Sequence, residues 1–236
     1  MLQGMILLEY EDDFDIKLSI GELAYLVALI GGTNLRGIEY SFDHLHESEL
    51  RQRFESIQQK LENKGFLRVN FDGTVQMDQA VHDVISAVAF CNRVILQKTN
   101  ESEEQKSYHY YVYGGSTLEM QVEEDQCVLR PLRAIYELQA TMIERSGFLQ
   151  HYDFDEAIDS QDLSIEEIEE NISSLCSIHC CHLENEQIVA EREVSFTTSD
   201  SMLYQIKVDK EVDGTLTPSL NPVSLQWVVQ AINQIL

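Results

Sequence analysis

The chain contains few prolines and few basic residues. Only 3 of its 236 residues are proline, which excludes a proline-rich linker or a collagen-like segment. Lysine and arginine total 16 against 41 acidic residues, so the formal net charge is −25. Nucleic acids and anionic membranes bind proteins largely through Lys and Arg. We therefore expect no nucleic-acid partner, whereas a basic or poorly soluble protein partner fits the charge.

Long apolar runs are also absent. The longest apolar segment, 18–30, contains Glu22 and is too short to cross a bilayer. The apolar residues 5–8 have no basic residue before them and an acidic run after them, unlike a secretory signal. Five cysteines, an odd number at uneven spacing, do not suggest a disulfide framework. These features predict a cytoplasmic protein with reduced thiols and no stable membrane insertion.

The stretch from Ser48 to Val94 predicts a helix, a small hairpin and a second helix. Four apolar residues in its first part share one helical face, and Gly65 then suits the left-handed position that ends a helix. Asp72-Gly73 lies between two short apolar runs, as in a hairpin turn. Asp78 is a predicted N-cap for the second helix. The four apolar residues are Leu50, Phe54, Ile57 and Leu61.

Two capping boxes predict further helices. Ser19 and Glu22 begin one that ends at Gly31-Gly32, and Ser164 and Glu167 begin another. The helix that begins at Ser164 is expected to continue through Ile172 and Leu175 towards Cys181. A last helix carries an apolar stripe made of Leu225, Val228, Val229, Ile232 and Ile235.

Strand patterns occupy the remainder of the chain. Residues 5–10 predict a first strand, and residues 94–97 and 108–113 predict two strands separated by a polar loop, Lys98–Ser107. Gly114-Gly115 is a predicted tight turn. Further strands are predicted around Leu118, Met120 and Val122, at 127–129, at 194–196, over 202–208, and at 215–217 after an Asp213-Gly214 turn.

A weak repeat relates two of these strand groups. Leu118, Met120 and Val122 precede Tyr204, Ile206 and Val208 by 86 positions, and a Leu-x-Pro triplet at 129–131 recurs at 216–218. Each copy is predicted to be a three-stranded meander followed by a helix, around a quasi-two-fold axis. The predicted fold is α+β, with antiparallel sheet and segregated helices in one domain, 1–236. The same order allows subdomains 1–130 and 131–236.

Catalytic motifs are missing, and one cluster invites a metal hypothesis. No glycine-rich phosphate loop, Gly-x-Ser-x-Gly elbow or His-Glu-x-x-His occurs. Cys176 and Cys180 would lie one turn apart on the predicted helix, and cysteine and histidine are the usual ligands of zinc. Such a site needs two further ligands, and the alternative is that these cysteines are small core residues. We expect no enzyme activity, no cofactor and no metal.

The helix–hairpin–helix unit also allows a winged-helix regulator that binds DNA or a protein. Its densest basic group includes Arg51, Arg53 and Lys60. That alternative requires these three side chains to form one exposed basic face.

Three segments resemble the EspG family of type VII secretion chaperones, together with its firmicute relatives of the EsaE kind. They are Leu18-Ser19-Ile20-Gly21-Glu22-Leu23, Leu61-Glu62-Asn63-Lys64-Gly65-Phe66-Leu67, and the 77–90 helix that leads into the sheet. The resemblance implies a quasi-two-fold arrangement of sheet and helices. It also implies a substrate-specific chaperone or adaptor of a type VII, ESX-like secretion system. Its partner would be a secreted helical-hairpin or toxin protein, with the secretion ATPase as a second partner that the resemblance allows.

The same resemblance implies where the substrate would bind. In the family, a hairpin loop between early strands and a later helical part contribute to substrate contact. In this chain these parts correspond to Lys98–Ser107 and Phe148–Cys181. The predicted partner-binding residues are Lys98, Glu101, Glu103, Glu104, Lys106, Phe148, Tyr152, Phe154, Ile172 and Leu175.

Overall fold

The computed structural model describes residues 15–33, 35–38, 40, 42, 45–101, 104–150, 172–199, 201–210 and 216–236. The predicted strand at 5–10, the capping box at Ser164 and the turn at Asp213-Gly214 lie outside these ranges. Among the described residues, no helix is both long and apolar enough to cross a membrane.

Local sequence signals set the ends of the first helices. Ser19 Oγ accepts from the Glu22 N–H, and the Glu22 carboxylate accepts from the Ser19 N–H at 2.7 Å, so the predicted capping box forms. Gly65, at φ +75°, ends the next helix. The Phe66 N–H then donates to the Leu61 carbonyl, and the Gly65 N–H donates to the Glu62 carbonyl, as in a Schellman motif. Asp78 accepts from the N–H groups of Ala80 and Val81.

The described helices and strands follow one another in this order: β1 (Ile16–Ser19), α1 (Ile20–Leu29), α2 (Glu47–Asn63), β2 (Leu67–Val69), β3 (Val75–Met77), α3 (Gln79–Phe90), β4 (Arg93–Glu101), β5 (Glu104–Tyr113), β6 (Ser116–Glu123), β7 (Gln126–Leu132), α4 (Ile135–Arg145), a 3-10 turn (Phe148–Gln150), β8 (Ile172–Glu184), β9 (Gln187–Ser199), β10 (Met202–Lys210), β11 (Leu216–Pro222) and α5 (Leu225–Ile235). β2 and β3 form the predicted hairpin.

Nine strands form one antiparallel sheet in the order β1-β7-β6-β5-β4-β8-β9-β10-β11. β4 and β8 pair near its centre. Each is the first strand of a four-stranded meander that ends in a helix: β4–β7 is followed by α4, and β8–β11 by α5. The closing helices α4 and α5 each have 11 residues. The predicted α+β class and its quasi-two-fold repeat are confirmed. The meanders have four strands rather than three, because β4 and β8 join the strands predicted for each copy.

Helices cover the two faces of the sheet differently. We call the face under α1, α2 and α3 the front face; its core includes Tyr111, Met120 and Leu129. α4 and α5 cover the back face, where the core includes Tyr110, Ile178 and Ile232. Of strands β8–β11, only Leu183 belongs to the buried front core formed by the described residues.

Two predicted segments are wrong. Residues 98–101 and 104–107 continue β4 and β5 rather than forming a loop, because their backbone groups pair across the hairpin and, on the β4 side, with β8. Residues 172–181 form a strand rather than the end of a helix. Cys176, Ile178 and Cys180 alternate with half-buried residues, which is the period of two of a strand.

Candidate partner-binding surface

The predicted contact segments meet at one end of the sheet. Glu101 pairs with Glu104 in the β4–β5 hairpin and with Ser174 at the start of β8. Asn100 pairs with Leu175, and Ile172 pairs with the end of β9. Segments about 70 residues apart in sequence thus become neighbours. We call residues 98–101, 104–107 and 172–175 the hairpin end.

Side chains at the hairpin end point to both faces. Lys98 lies opposite Ser107 and is exposed on the front face, whereas Lys106 lies opposite Thr99 and is exposed on the back. Ile172 is 42% exposed and Leu175 is half-buried. For Glu101 and Glu104 the structure describes only their strand positions. Glu103, Tyr152 and Phe154 lie outside the described residues.

Phe148 belongs to the core. It is fully buried and packs edge-to-face against Phe196, with ring centroids 5.4 Å apart. In this position it anchors the 3-10 turn to the back face and lines no surface. Phe148 was predicted to contact the partner, and in this structure its buried side chain is not available for such a contact.

A buried polar network holds the strands together next to the hairpin end. Gln97 is fully buried and donates to the Met142 carbonyl at 2.8 Å, while the Tyr110 hydroxyl donates to Gln97 Oε1 at 3.0 Å. Thr197 Oγ1 donates to the Ser174 carbonyl at 2.6 Å. Burial, followed by the nearby Glu119 carboxylate, raises the Tyr110 pKa well above its usual value, so this hydroxyl remains a donor. These bonds link β4, β5, β8, β9 and α4 into a firm support for exposed groups.

Exposed apolar residues extend along the second half of the sheet. Val208 on β10 is 61% exposed, and Ile206 beside it is half-buried opposite Leu220. At the start of β9, Ile188 and Val189 are 53% and 55% exposed. These exposed positions are not among the predicted partner-binding residues. For Ile206 and Val208 the sequence offers the alternation of apolar residues at 202–208, which does not tell which face of the strand is covered.

An open depression of about 420 Å³ lies between the end of α1, the β2–β3 hairpin and the start of α3. One residue that lines this depression has an imidazole side chain, and none of the lining residues has a carboxylate or a thiol. The depression therefore contains no nucleophile paired with a base. The lining residues are Leu29, Ile30, Gly73, Val75, Met77, Gln79 and His82.

The basic residues of α2 do not form the single face that a winged-helix regulator requires. Arg51, Arg53 and Lys60 are all exposed. At 3.6 residues per turn, Arg53 and Lys60 lie within about 20° of each other and Arg51 lies on roughly the opposite side. Acidic residues Glu47, Glu49, Glu55 and Glu62 share the helix and outnumber the three cations.

The predicted pair of zinc-binding cysteines does not converge. Cys176 and Cys180 are four residues apart on β8, which separates them by about 13 Å along a strand. Both are buried, and burial raises the pKa of Cys176 to about 12 and that of Cys180 to about 11. They are core residues of the back face, as the alternative interpretation held.

Comparison with known proteins shows the fold. No protein-family model matches the chain, and neither does any curated protein. Among solved structures, it is similar to the Mycobacterium tuberculosis type VII secretion system chaperone EspG5, whose structure was determined in complex with a PE25-PPE41 dimer. The likeness has a TM-score of 0.61 at 10% sequence identity and covers 94% of this chain and 95% of that one. The predicted EspG-like fold is therefore confirmed: this chain has the fold of a type VII secretion chaperone over nearly its whole length.

Proposed function

We propose that this protein is a cytoplasmic chaperone or adaptor for a substrate of a type VII-like secretion system and has no catalytic activity. The observation that supports the proposal is the likeness to EspG5 over nearly the full length of both chains. That protein was solved in complex with a PE25-PPE41 dimer, which supports a partner-binding role for a chain with this fold. The partner that we propose for this chain is a secreted helical-hairpin or toxin protein.

Physical chemistry indicates how such a carrier acts. A helical secretion substrate with an apolar tip aggregates unless that tip is removed from water. Covering about 400 Å² of apolar surface is worth about 10 kcal/mol before the costs of association are subtracted. We propose the hairpin end as the contact surface, because exposed Ile172 and half-buried Leu175 lie there on β8, next to the strand that carries Lys98 and on a firmly bonded support. The negative charge of the chain keeps the complex soluble.

The test is a pull-down of the tagged full chain from its native cytosol, followed by mass spectrometry. We expect near-stoichiometric recovery of one helical secreted protein. Ile172→Asp should abolish recovery, because it replaces the most exposed apolar side chain of the hairpin end with a charge. Lys60→Glu on exposed α2 is the matched control and should retain the partner. Both variants should keep the wild-type circular dichroism.

Three results would contradict the proposal. Recovery of DNA alone would favour the regulator alternative. Absence of any stable partner while the secretion proteins are demonstrably expressed would remove the carrier role. Equal loss of the partner in the Ile172 and Lys60 variants would remove the hairpin end as the contact surface.

A further inference from the structure

Three potential metal ligands converge on the front face of the β8–β9 hairpin. His179 and Cys181 are two residues apart on β8, so both point to the same face. Glu191 lies directly opposite Cys181 on β9. The antiparallel pairing thus places an imidazole, a thiol and a carboxylate at adjacent positions of one surface.

One donor atom from each of the three residues lies within 4.8 Å of the other two, and the sulfur and the imidazole nitrogen approach different oxygens of Glu191. Cys181 Sγ lies 3.8 Å from His179 Nε2 and 3.8 Å from Glu191 Oε1. His179 Nε2 lies 4.0 Å from Glu191 Oε2. Zinc bonds to nitrogen, oxygen and sulfur are about 2.0–2.3 Å long, so a single ion reaches all three donors once the side chains close around it.

We propose that His179, Cys181 and Glu191 form a Zn²⁺ site with a fourth position open to solvent. A thiolate, an imidazole and a carboxylate together favour zinc over magnesium or calcium, which prefer oxygen ligands only. A tetrahedral site needs donor separations of about 3.3–3.6 Å, so the sulfur must move closer by a few tenths of an ångström, and the His179 nitrogen and the Glu191 oxygen must approach each other by more than that. The sulfur is almost equidistant from both ring nitrogens of His179, and rotation of the ring aims Nε2 at the ion.

The neighbouring groups support this assignment. Glu193, opposite His179, accepts a hydrogen bond from Ser177 at 3.2 Å and is thereby directed away from the three ligands. The side chains of His179 and Glu191 are 37% and 54% exposed, which gives an ion access from solvent. Binding replaces the thiol proton of Cys181, so the reaction forms a zinc–sulfur bond and releases one proton to the buffer. A bound ion would link β8 to β9 at positions where the described part of β10 no longer pairs with β9.

Titration of the reduced, chelator-treated full chain with Zn²⁺ tests the proposal, with Co²⁺ as a spectroscopic probe. We expect one zinc per chain, and with cobalt a thiolate-to-metal charge-transfer band. Cys181→Ser should abolish the band, and His179→Ala or Glu191→Gln should weaken zinc affinity at least about tenfold. Glu193→Gln and His182→Ala are the controls and should change affinity less than about threefold.

Folding and site occupancy are followed separately. Each variant should retain the wild-type circular dichroism in chelator, which separates loss of a ligand from loss of fold. Zinc should also protect Cys181 from alkylation in the wild-type chain. No cobalt–thiolate band, a band that persists in Cys181→Ser, or an equal loss of affinity in Glu193→Gln would each overturn the assignment. None of these outcomes depends on whether the protein carries a secretion substrate.

Discussion

Breaking the partly buried ion pair between Glu22 and Lys64 should cost more stability than breaking an exposed pair. Lys64 Nζ lies 2.8 Å from Glu22 Oε2, and the Glu22 side chain is only 4% exposed. The same oxygen accepts the Ser19 N–H at 2.7 Å, and Lys64 also donates to the Lys17 carbonyl at 3.2 Å. One pair therefore links β1 and the start of α1 to the end of α2.

The magnitude follows from the unequal burial of the two partners. Removing one member of a fully buried pair costs about 3–5 kcal/mol. The Lys64 side chain is 36% exposed, so water screens part of this interaction. We therefore expect Lys64→Met to lower the free energy of unfolding by about 2 kcal/mol. A double-mutant cycle with Glu22→Gln should give a coupling energy of about 1–2 kcal/mol.

Urea unfolding followed by far-UV circular dichroism measures the cycle, with Glu47 and Arg51 as the matched control pair in the same chain. Their atoms are 4.0 Å apart and their side chains are 93% and 74% exposed. The control cycle, Glu47→Gln with Arg51→Met, should give less than about 0.5 kcal/mol. A coupling energy for Glu22 and Lys64 no larger than the control would refute the reasoning, because burial would then add nothing to the pair.

Two further predictions concern thiol reactivity and core packing. Native-state alkylation with mass spectrometry, in chelator at pH 8, should label half-buried Cys181 well before Cys176, whose buried thiol has a pKa of about 12 and stays protonated. Burial, followed by the Glu191 carboxylate, raises the Cys181 pKa. Glu191→Gln should therefore lower the Cys181 pKa and speed its alkylation. An unchanged alkylation rate would show that this carboxylate does not act on the thiol. Phe148→Ala should lower the free energy of unfolding by about 3–5 kcal/mol, whereas Ile172→Ala should cost less than about 1 kcal/mol. Similar costs in urea titrations would mean that the two positions are not core and surface.

The sequence was sufficient where a structure depends on bonds between near neighbours. The Ser19–Glu22 capping box, the Gly65 stop and the Asp72-Gly73 turn each involve groups within five residues of one another. The residue types at these positions are therefore enough to predict the ends of α1 and α2 and the β2–β3 hairpin.

The candidate surfaces were only partly predictable. The segments 98–107 and 148–181 were predicted from a family resemblance, and the structure brings their described strand residues together at the hairpin end. Phe148 could not be recognised as buried, because an aromatic residue after a helix suits either a core or a contact surface. The grouping of His179 with Glu191 depends on the register of β8 against β9, which no local pattern in either strand specifies.

The sequence by itself determined the start of α1, the end of α2, the small hairpin, the α+β class and its quasi-two-fold order, because short-range hydrogen bonds and apolar periodicity encode them. Tertiary structure alone decided that residues 172–181 form a strand and that residues 98–101 and 104–107 continue two others. The residues of β8 fit a helix or a strand until Thr99 pairs with Cys176 and Ile95 with Cys180. Those partners lie more than 70 positions away, and a strand has no intrinsic stability until its backbone groups find them.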